Sequence, residues 1–272
     1  MGANSNDSPF LKAKRPLNKT ASGYATPGAA RISPAFAKFE RVEAWVFDLD
    51  NTLYPPDSAL WPMIDARITL FLMELFGLDG VSSRALQKHF YHRYGTTLRG
   101  LIDEHQIDAA EFLAFVHDID RSSLAPNPSL ADEIAALPGR KLILTNGSRE
   151  HALRTTERLG LGELFEDAFD IVAASFVPKP APEAYDSFFR KYGIEPTRAA
   201  MFEDIARNLV VPHQRGMTTV LVRPHPAQKD FREPDDRRDE DTPAIDFATA
   251  DLVGFLKAVN GQLRMAGKMA AE

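Results

Sequence analysis

Residues 42–47 read V-E-A-W-V-F, a mostly apolar run that ends on D-L-D-N-T, and the pattern predicts a buried strand over Val42 to Phe47. Apolar residues then return at helical spacing. Segments 58–77, 82–95 and 108–120 carry that period: the first stops at Gly77, the second runs from Ser82 to Gly95, and the third starts on Asp108. After a further helix over 129–139 the pattern changes. A strand, R-K-L-I-L, ends at Thr145; a helix follows with Ser148 as cap and Gly160 as stop; D-I-V-A-A-S (170–175) reads as a short strand. Next come a helix over 181–193 with Pro182 in its first turn, a strand in A-A-M-F-E-D (199–204), a helix over 205–216 and a strand in T-T-V-L-V-R-P (218–224).

Strands and helices that alternate from residue 140 onward indicate a parallel sheet, and residues 55–126 interrupt that alternation with helices alone. The expected fold is α/β: a Rossmann-like parallel sheet core over 41–54 and 127–224 with helices on both faces. A small all-α cap, 55–126, is inserted after the first strand. The run K-D-F-R-E-P-D-D-R-R-D-E-D-T-P marks 225–245 as a charged, mobile linker. Residues 246–272 read as a C-terminal helix and tail, with F-A-T-A-D-L-V-G-F-L-K-A-V packing back on the sheet. No internal repeat is visible.

Composition narrows the function. With 272 residues, 44% of them hydrophobic, the chain can bury one large core with a small appendage. A net charge of -6 disfavours a nucleic-acid polymer as partner, since phosphates call for a basic face. The absence of cysteine excludes disulfides, thiol catalysis and thiolate metal sites. Residues 1–40 are rich in Ser, Pro, Gly and Ala, carry Lys12, Lys14, Arg15, Lys19 and Arg31, and are expected to form a disordered tail. That tail has no apolar stretch suited to a secretory signal, and Asn6 stands where a myristoylation site needs Ser or Thr. No run of apolar residues is long enough to cross a membrane, so a cytoplasmic protein is expected. Oligomeric state is not legible.

In open parallel sheets ligands bind beyond the carboxyl ends of the strands. The predicted exits offer Asp48, Asp50, Asn51 and Thr52; then Thr145, Asn146 and Gly147; then Lys179 between two prolines; then Glu203 and Asp204, with Asn208 one turn later. Asp48 and Asp50 repel each other unless something positive sits beside them. A Mg²⁺ ion held by Asp48, Asp204 and the Asp50 carbonyl supplies it, using the oxygen ligands that ion requires. The same inventory suits a small phosphate monoester. Asp48 can attack phosphorus, and Asp50 can protonate the leaving oxygen and then deprotonate water. Lys179 and the Thr145 hydroxyl would bind non-bridging oxygens, with backbone N–H groups at Asn51 and Asn146 completing the cradle.

D-L-D-N-T, a strand ending in L-T-N, then K-P, then F-E-D followed by Asn resembles the four motifs of the haloacid dehalogenase superfamily, over residues 46–208. The resemblance implies a Mg²⁺-dependent phosphohydrolase with Asp48 as nucleophile and Asp50 as acid/base. It also implies Thr145 and Lys179 as phosphate binders, and Asp204 with Glu203 nearby in the metal site. The helical insert resembles the small cap that selects substrate in that superfamily. Within it Y-G-T-T-L-R-G-L (94–101), with D-L-D-N-T-L-Y-P and L-T-N-G-S-R-E-H-A (144–152), resembles the pyrimidine 5′-nucleotidase branch, which acts on UMP and CMP. The superfamily's dehalogenases lack an aspartate two residues after the nucleophile, so Asp50 counts against dehalogenation.

Other readings stay open at this level. Thr145 and Lys179 also suit a turn and a solvated loop, and Glu203-Asp204 suits a helix N-terminus. Asn208 is expected to contact the carboxylates. Arg99 in the cap and Tyr54 next to the site are candidates for substrate contact, against surface and packing roles. His89 and His92, without a third ligand, read as surface or packing residues. A phosphatase of sugar phosphate, phosphoglycolate or pyridoxal phosphate, a phosphomutase, and a catalytically silent phosphate-binding module all share this rim.

Overall fold

The structure, a computed structural model, describes residues 34–230, 232–238 and 240–269; the tail expected over 1–33 lies outside the described residues. The sheet is built from β1 (Ala44–Phe47), β2 (Arg140–Leu144), β3 (Asp167–Phe169), β4 (Ala199–Glu203), β5 (Thr218–Val222) and β6 (Phe247–Thr249). All pairs are parallel, in the order β3-β2-β1-β4-β5-β6. Side chains of successive strand residues point to opposite faces, and here both faces are covered. Trp45 and Phe47 of β1 join Phe202 of β4 in one apolar layer. Ala44, Val46 and Met201 join the other. Phe47 and Phe202 stack at 4.6 Å directly behind the ends of the two central strands.

Between β1 and β2 lie α1 (Leu60–Phe76), α2 (Gly80–Tyr94), α3 (Thr97–His105) and α4 (Ala109–His117), followed by α5 (Pro128–Ala136). Asp79, Thr96 and Asp108 cap α2, α3 and α4 by accepting backbone N–H groups. Phe71, Leu72, Phe90, Leu101, Phe112 and Val116 from these helices form a core of their own. Gly100 lets α3 lie against α2, since a Cβ there would fall 2.4 Å from Phe90 Cδ1. The core helices are α6 (Arg149–Leu159), capped by Ser148 as expected, α7 (Pro182–Tyr192), α8 (Val210–Gln214) and α9 (Leu252–Met269).

Four local expectations are corrected. Strand β3 ends at Phe169, before D-I-V-A-A-S, because the Asp170 carboxylate accepts the N–H groups of Ala173 (2.8 Å) and Arg149 (2.9 Å) and turns the chain. The helix expected over 205–216 divides into a 3₁₀ turn, Ala206–Leu209, and the short α8. Pro212 lacks the N–H that would bond Asn208 O, and that oxygen instead accepts from Tyr185 Oη at 2.6 Å. Residues 34–40 are not tail: they form a 3₁₀ helix, Pro34–Arg41, that buries Phe39 completely. Segment 225–245 does not hang free, because Arg232 and Asp236 are buried and its charges find partners on the cap and the core.

Candidate active site

The carboxyl ends of β1 and β4 lie side by side where chain connections depart to opposite sides of the sheet, the position at which such sheets bind ligands. The Asp48 amide donates to Phe202 O at 2.9 Å and keeps the two ends in register. Asp48 is buried, and Oδ1 accepts from Lys179 Nζ at 2.7 Å. The same ammonium donates to Glu203 Oε1 at 3.0 Å and to Leu144 O at 2.9 Å. Those three bonds use all of its hydrogens. Lys179 is therefore first a counter-ion that ties Asp48 to Glu203.

Glu203 is fully engaged. Its Oε2 accepts the amides of Asp204 (2.6 Å) and Ile205 (3.1 Å), and Asn208 Nδ2 donates to Oε1. Burial opposes its ionisation, but Lys179 and these bonds hold its carboxyl below the ordinary value. Asp48 and Asp204 fare differently. Burial and the charge of Glu203 push Asp48 up to about 7 and Asp204 well above the usual range. Asp204 Oδ2 is buried without a hydrogen-bond partner.

Ligand oxygens of Asp48, Glu203 and Asp204 all lie within 4.8 Å of one another. Three buried carboxylates against one lysine, with an oxygen left orphaned, call for a further positive charge. The donor set is all oxygen, which fits a hard divalent cation such as Mg²⁺. Because Glu203 already spends its lone pairs, Asp48 and Asp204 are the carboxylates best placed to hold it.

Asp50 stands apart from this cluster. Its Oδ1 accepts from Tyr54 Oη at 2.5 Å and faces His151 Nε2 at 2.9 Å. Burial alone would raise its carboxyl, but its contacts with His151 and Tyr54 hold it below the ordinary value. Asn51 adopts the left-handed conformation (φ 60°), which Asn tolerates, and its Oδ1 and Thr52 Oγ1 are buried and unpaired. Thr145 Oγ1 accepts from Gly147 N at 2.9 Å, which leaves its hydroxyl hydrogen to donate. Asn146 clamps two loops together: its Oδ1 accepts Lys179 N at 2.8 Å and its Nδ2 donates to Lys179 O at 3.2 Å.

One cavity joins these groups to the cap. Asp48, Asp50, Asn51, Thr145, Asn146, Lys179, Glu203, Asp204 and Asn208 all line it. Across from them the wall is apolar, with Trp61, Ile64, Ile68, Phe112 and Val116, beside the polar Gln87, Lys88 and Tyr91. Neither of the two candidates for substrate contact lines it. Tyr54 is buried with its hydroxyl on Asp50, and Arg99 pairs with Asp103 at 2.8 Å and Phe176 O at 3.5 Å. The third wall is the charged segment: Arg232 donates to Asp204 O at 2.6 Å, Glu233 pairs with Lys88 at 2.6 Å, and Asp236 accepts from Tyr91 at 2.7 Å.

A family description, haloacid dehalogenase-like hydrolase, matches residues 42–210, which is more than half of the chain. The chain belongs to the haloacid dehalogenase-like hydrolases. Among relatives of this hydrolase, Phosphate metabolism protein 8 of Saccharomyces cerevisiae is 26% identical over 177 residues, covering 60% of this chain and 55% of that one. The chain thus spans about half the length of that relative. Fructose-1-phosphate phosphatase YqaB of Escherichia coli is 25% identical over 194 residues, covering 68% of this chain and 98% of that one. Of solved structures, a HAD phosphatase from Thermococcus onnurineus shares the fold with a TM-score of 0.52 at 16% identity, covering 81% of this chain and 99% of that one.

Sequence reading of this hydrolase missed Tyr54's partner role, His117, Arg121, His151 and Arg232. Only His151 left a signal. It stands in the first turn of the helix that follows the second strand, three residues after the cap Ser148, where its side chain faces the strand ends.

Proposed function

We propose that the protein is a Mg²⁺-dependent phosphatase of small phosphate monoesters, acting through an aspartyl-phosphate on Asp48, with pyrimidine nucleoside 5′-monophosphates as substrates. The observation that carries this reading is the buried group of Asp48, Lys179, Glu203 and Asp204, with Asp50 held separately beside it. An Mg²⁺ ion bound by Asp48, Asp204 and the Asp50 carbonyl would neutralise phosphoryl charge and thereby admit an anionic nucleophile.

In the first step an Asp48 oxygen bonds to phosphorus, the bond to the leaving oxygen breaks, and that oxygen takes a proton from Asp50. A dianionic phosphate arriving beside Asp50 favours its protonated form for this purpose. In the second step water attacks phosphorus and gives its proton back to Asp50, while the Asp48–phosphorus bond breaks. Thr145, with its hydroxyl hydrogen free, suits a non-bridging oxygen throughout. As charge leaves Asp48 for the phosphoryl oxygens, the Lys179 hydrogen on Oδ1 can follow it.

The apolar wall of the cap, bordered by Gln87, Lys88 and Tyr91, supports a ligand with a flat face and a polar edge, as a base has. A second reading, a sugar phosphate, is favoured by the fructose-1-phosphate phosphatase that the chain matches over nearly that relative's whole length. Phosphate release with Mg²⁺ from UMP, CMP, fructose 1-phosphate, phosphoglycolate and pyridoxal 5′-phosphate tests both. Highest kcat/KM on UMP or CMP, lost with EDTA and in Asp48→Asn, is expected. A sugar phosphate as best substrate would replace the first reading, and full turnover in Asp48→Asn would overturn the nucleophile.

A further inference from the structure

The reaction scheme leaves unused a chain of buried side chains that ends on Asp50. His151, wholly buried, faces Asp50 Oδ1 with Nε2 at 2.9 Å and Arg121 with Nδ1, also at 2.9 Å. A guanidinium can only donate, so Nδ1 must accept and the ring proton lies on Nε2. Arg121 cannot turn away. It is 7% exposed, and three more of its N–H groups donate to Ile119 O (3.1 Å), His117 O (3.2 Å) and Thr155 Oγ1 (3.3 Å). One face of the His151 ring is covered by His117 from α4, stacked at 4.4 Å and 10°. His117 is itself fixed by Ser148 Oγ at 2.9 Å from its Nδ1.

The consequence lies on Asp50. Tyr54 and His151 both donate to Oδ1, and among the described residues no hydrogen bond reaches Oδ2. An oxygen that already accepts two donors leaves no room for a proton of its own, so any proton Asp50 carries is confined to the other oxygen. Asp50 also lines the cavity, with 15% of its side chain exposed.

We propose that His151 is the positioning residue for Asp50. Its Nε2–H, in the tautomer imposed by Arg121, pins Oδ1 and reserves Oδ2 for proton exchange with the leaving oxygen and with water. This rests on the assignment of Asp48 as nucleophile and Asp50 as acid/base. A bland alternative is a core histidine whose two nitrogens are merely satisfied. The two roles diverge by leaving group, because 4-nitrophenolate departs without a proton whereas an alkoxide does not.

The test uses the Mg²⁺-loaded protein with 4-nitrophenyl phosphate and with the best alkyl monoester of the panel above. His151→Asn keeps an acceptor for Arg121 but is too short to reach Asp50; His151→Gln keeps an N–H near the place of Nε2. In the Asn variant we expect alkyl-ester turnover to fall about 100-fold or more. With 4-nitrophenyl phosphate it should show a burst of one nitrophenolate per site, then a slow steady state, as Asp48 is phosphorylated but not released. The Gln variant should stay within about tenfold of the parent and show no burst. Equal losses on both substrates without a burst, or matching behaviour of Asn and Gln variants, would overturn the role of His151. His151→Asn combined with Asp48→Asn serves as the control: a burst persisting there would condemn the nucleophile instead.

Discussion

Lys179 Nζ lies 2.7 Å from Asp48 Oδ1 in a site where both side chains are almost fully buried, at 2% and 9% exposure. Glu203 shares the same ammonium at 3.0 Å. Removing one partner of a buried ion pair leaves the other charge without water or counter-ion, a loss of about 3–5 kcal/mol. Lys179→Met should therefore lower stability by that order at pH 7, measured by denaturant titration, and abolish turnover. Lys179→Arg should not restore activity, because the larger planar group does not fit three converging acceptors. Retained activity in either variant would show that the ammonium is dispensable.

Asp204 presents the opposite case. Its Oδ2 is buried and unpaired, and its carboxyl is held well above the ordinary value by burial and Glu203. Asp204→Asn removes a poorly tolerated charge, so the metal-free protein should unfold at the same or a higher temperature. Mg²⁺ should raise the Tm of the parent, and in the variant that rise should disappear along with turnover. A Tm increase with Mg²⁺ equal to the parent's would remove Asp204 from the metal site.

The pH dependence of the metal-free protein follows from Asp48, raised from an ordinary value of 3.8 to about 7. Between those values the folded state keeps a proton that the unfolded chain has lost, so stability falls as pH rises from about 4 to about 7. Asp204, also raised, acts in the same direction, and Glu203, lowered, acts against it. Saturating Mg²⁺, by favouring the ionised carboxylates, should remove the fall. Urea titrations across this range with EDTA and with Mg²⁺ provide the check; coincident profiles would count against the cluster as a cation site.

A Cβ at position 100 would lie 2.4 Å from Phe90 Cδ1 and 2.9 Å from Phe90 Cβ. Gly100→Ala must push α3 off α2, and overpacking of this kind costs about 1–3 kcal/mol. Because that pair belongs to the cap core and not to the sheet, hydrogen exchange should quicken in residues 80–105 and change little in β1 and β4. Uniform loss across the chain would mean that the cap has no separate core.

The site was legible in sequence where chemistry sits on consecutive residues. Asp48, Thr145 and Glu203-Asp204 each follow a recognisable apolar strand, and parallel pairing brings those ends together; Lys179 reaches them from the loop beyond β3. What stayed hidden depends on distance along the chain. Arg121, His151 and Asp50 are separated by 30 and 101 residues, and no periodicity marks their meeting. Local patterns also misled. Ile171 and Val172 suggest a strand in D-I-V-A-A-S, yet Asp170 turns the chain and Ile171 packs into the cap core. Strand β6, only three residues long, gave no signal. High charge made 225–245 read as a linker, but its charges answer those of α2 and the strand ends: Glu233 with Lys88, Asp236 with Arg207.

The most direct measurement is an acid quench of the protein during turnover of its best substrate with Mg²⁺, followed by reduction with borohydride and peptide mass spectrometry. An acyl phosphate on Asp48 is reduced to the alcohol, so the peptide carrying Asp48 should appear as homoserine at that position, only when substrate is present. An unmodified Asp48 under turnover that accumulates a phosphoenzyme elsewhere, on Asp50 or a histidine, would contradict the account.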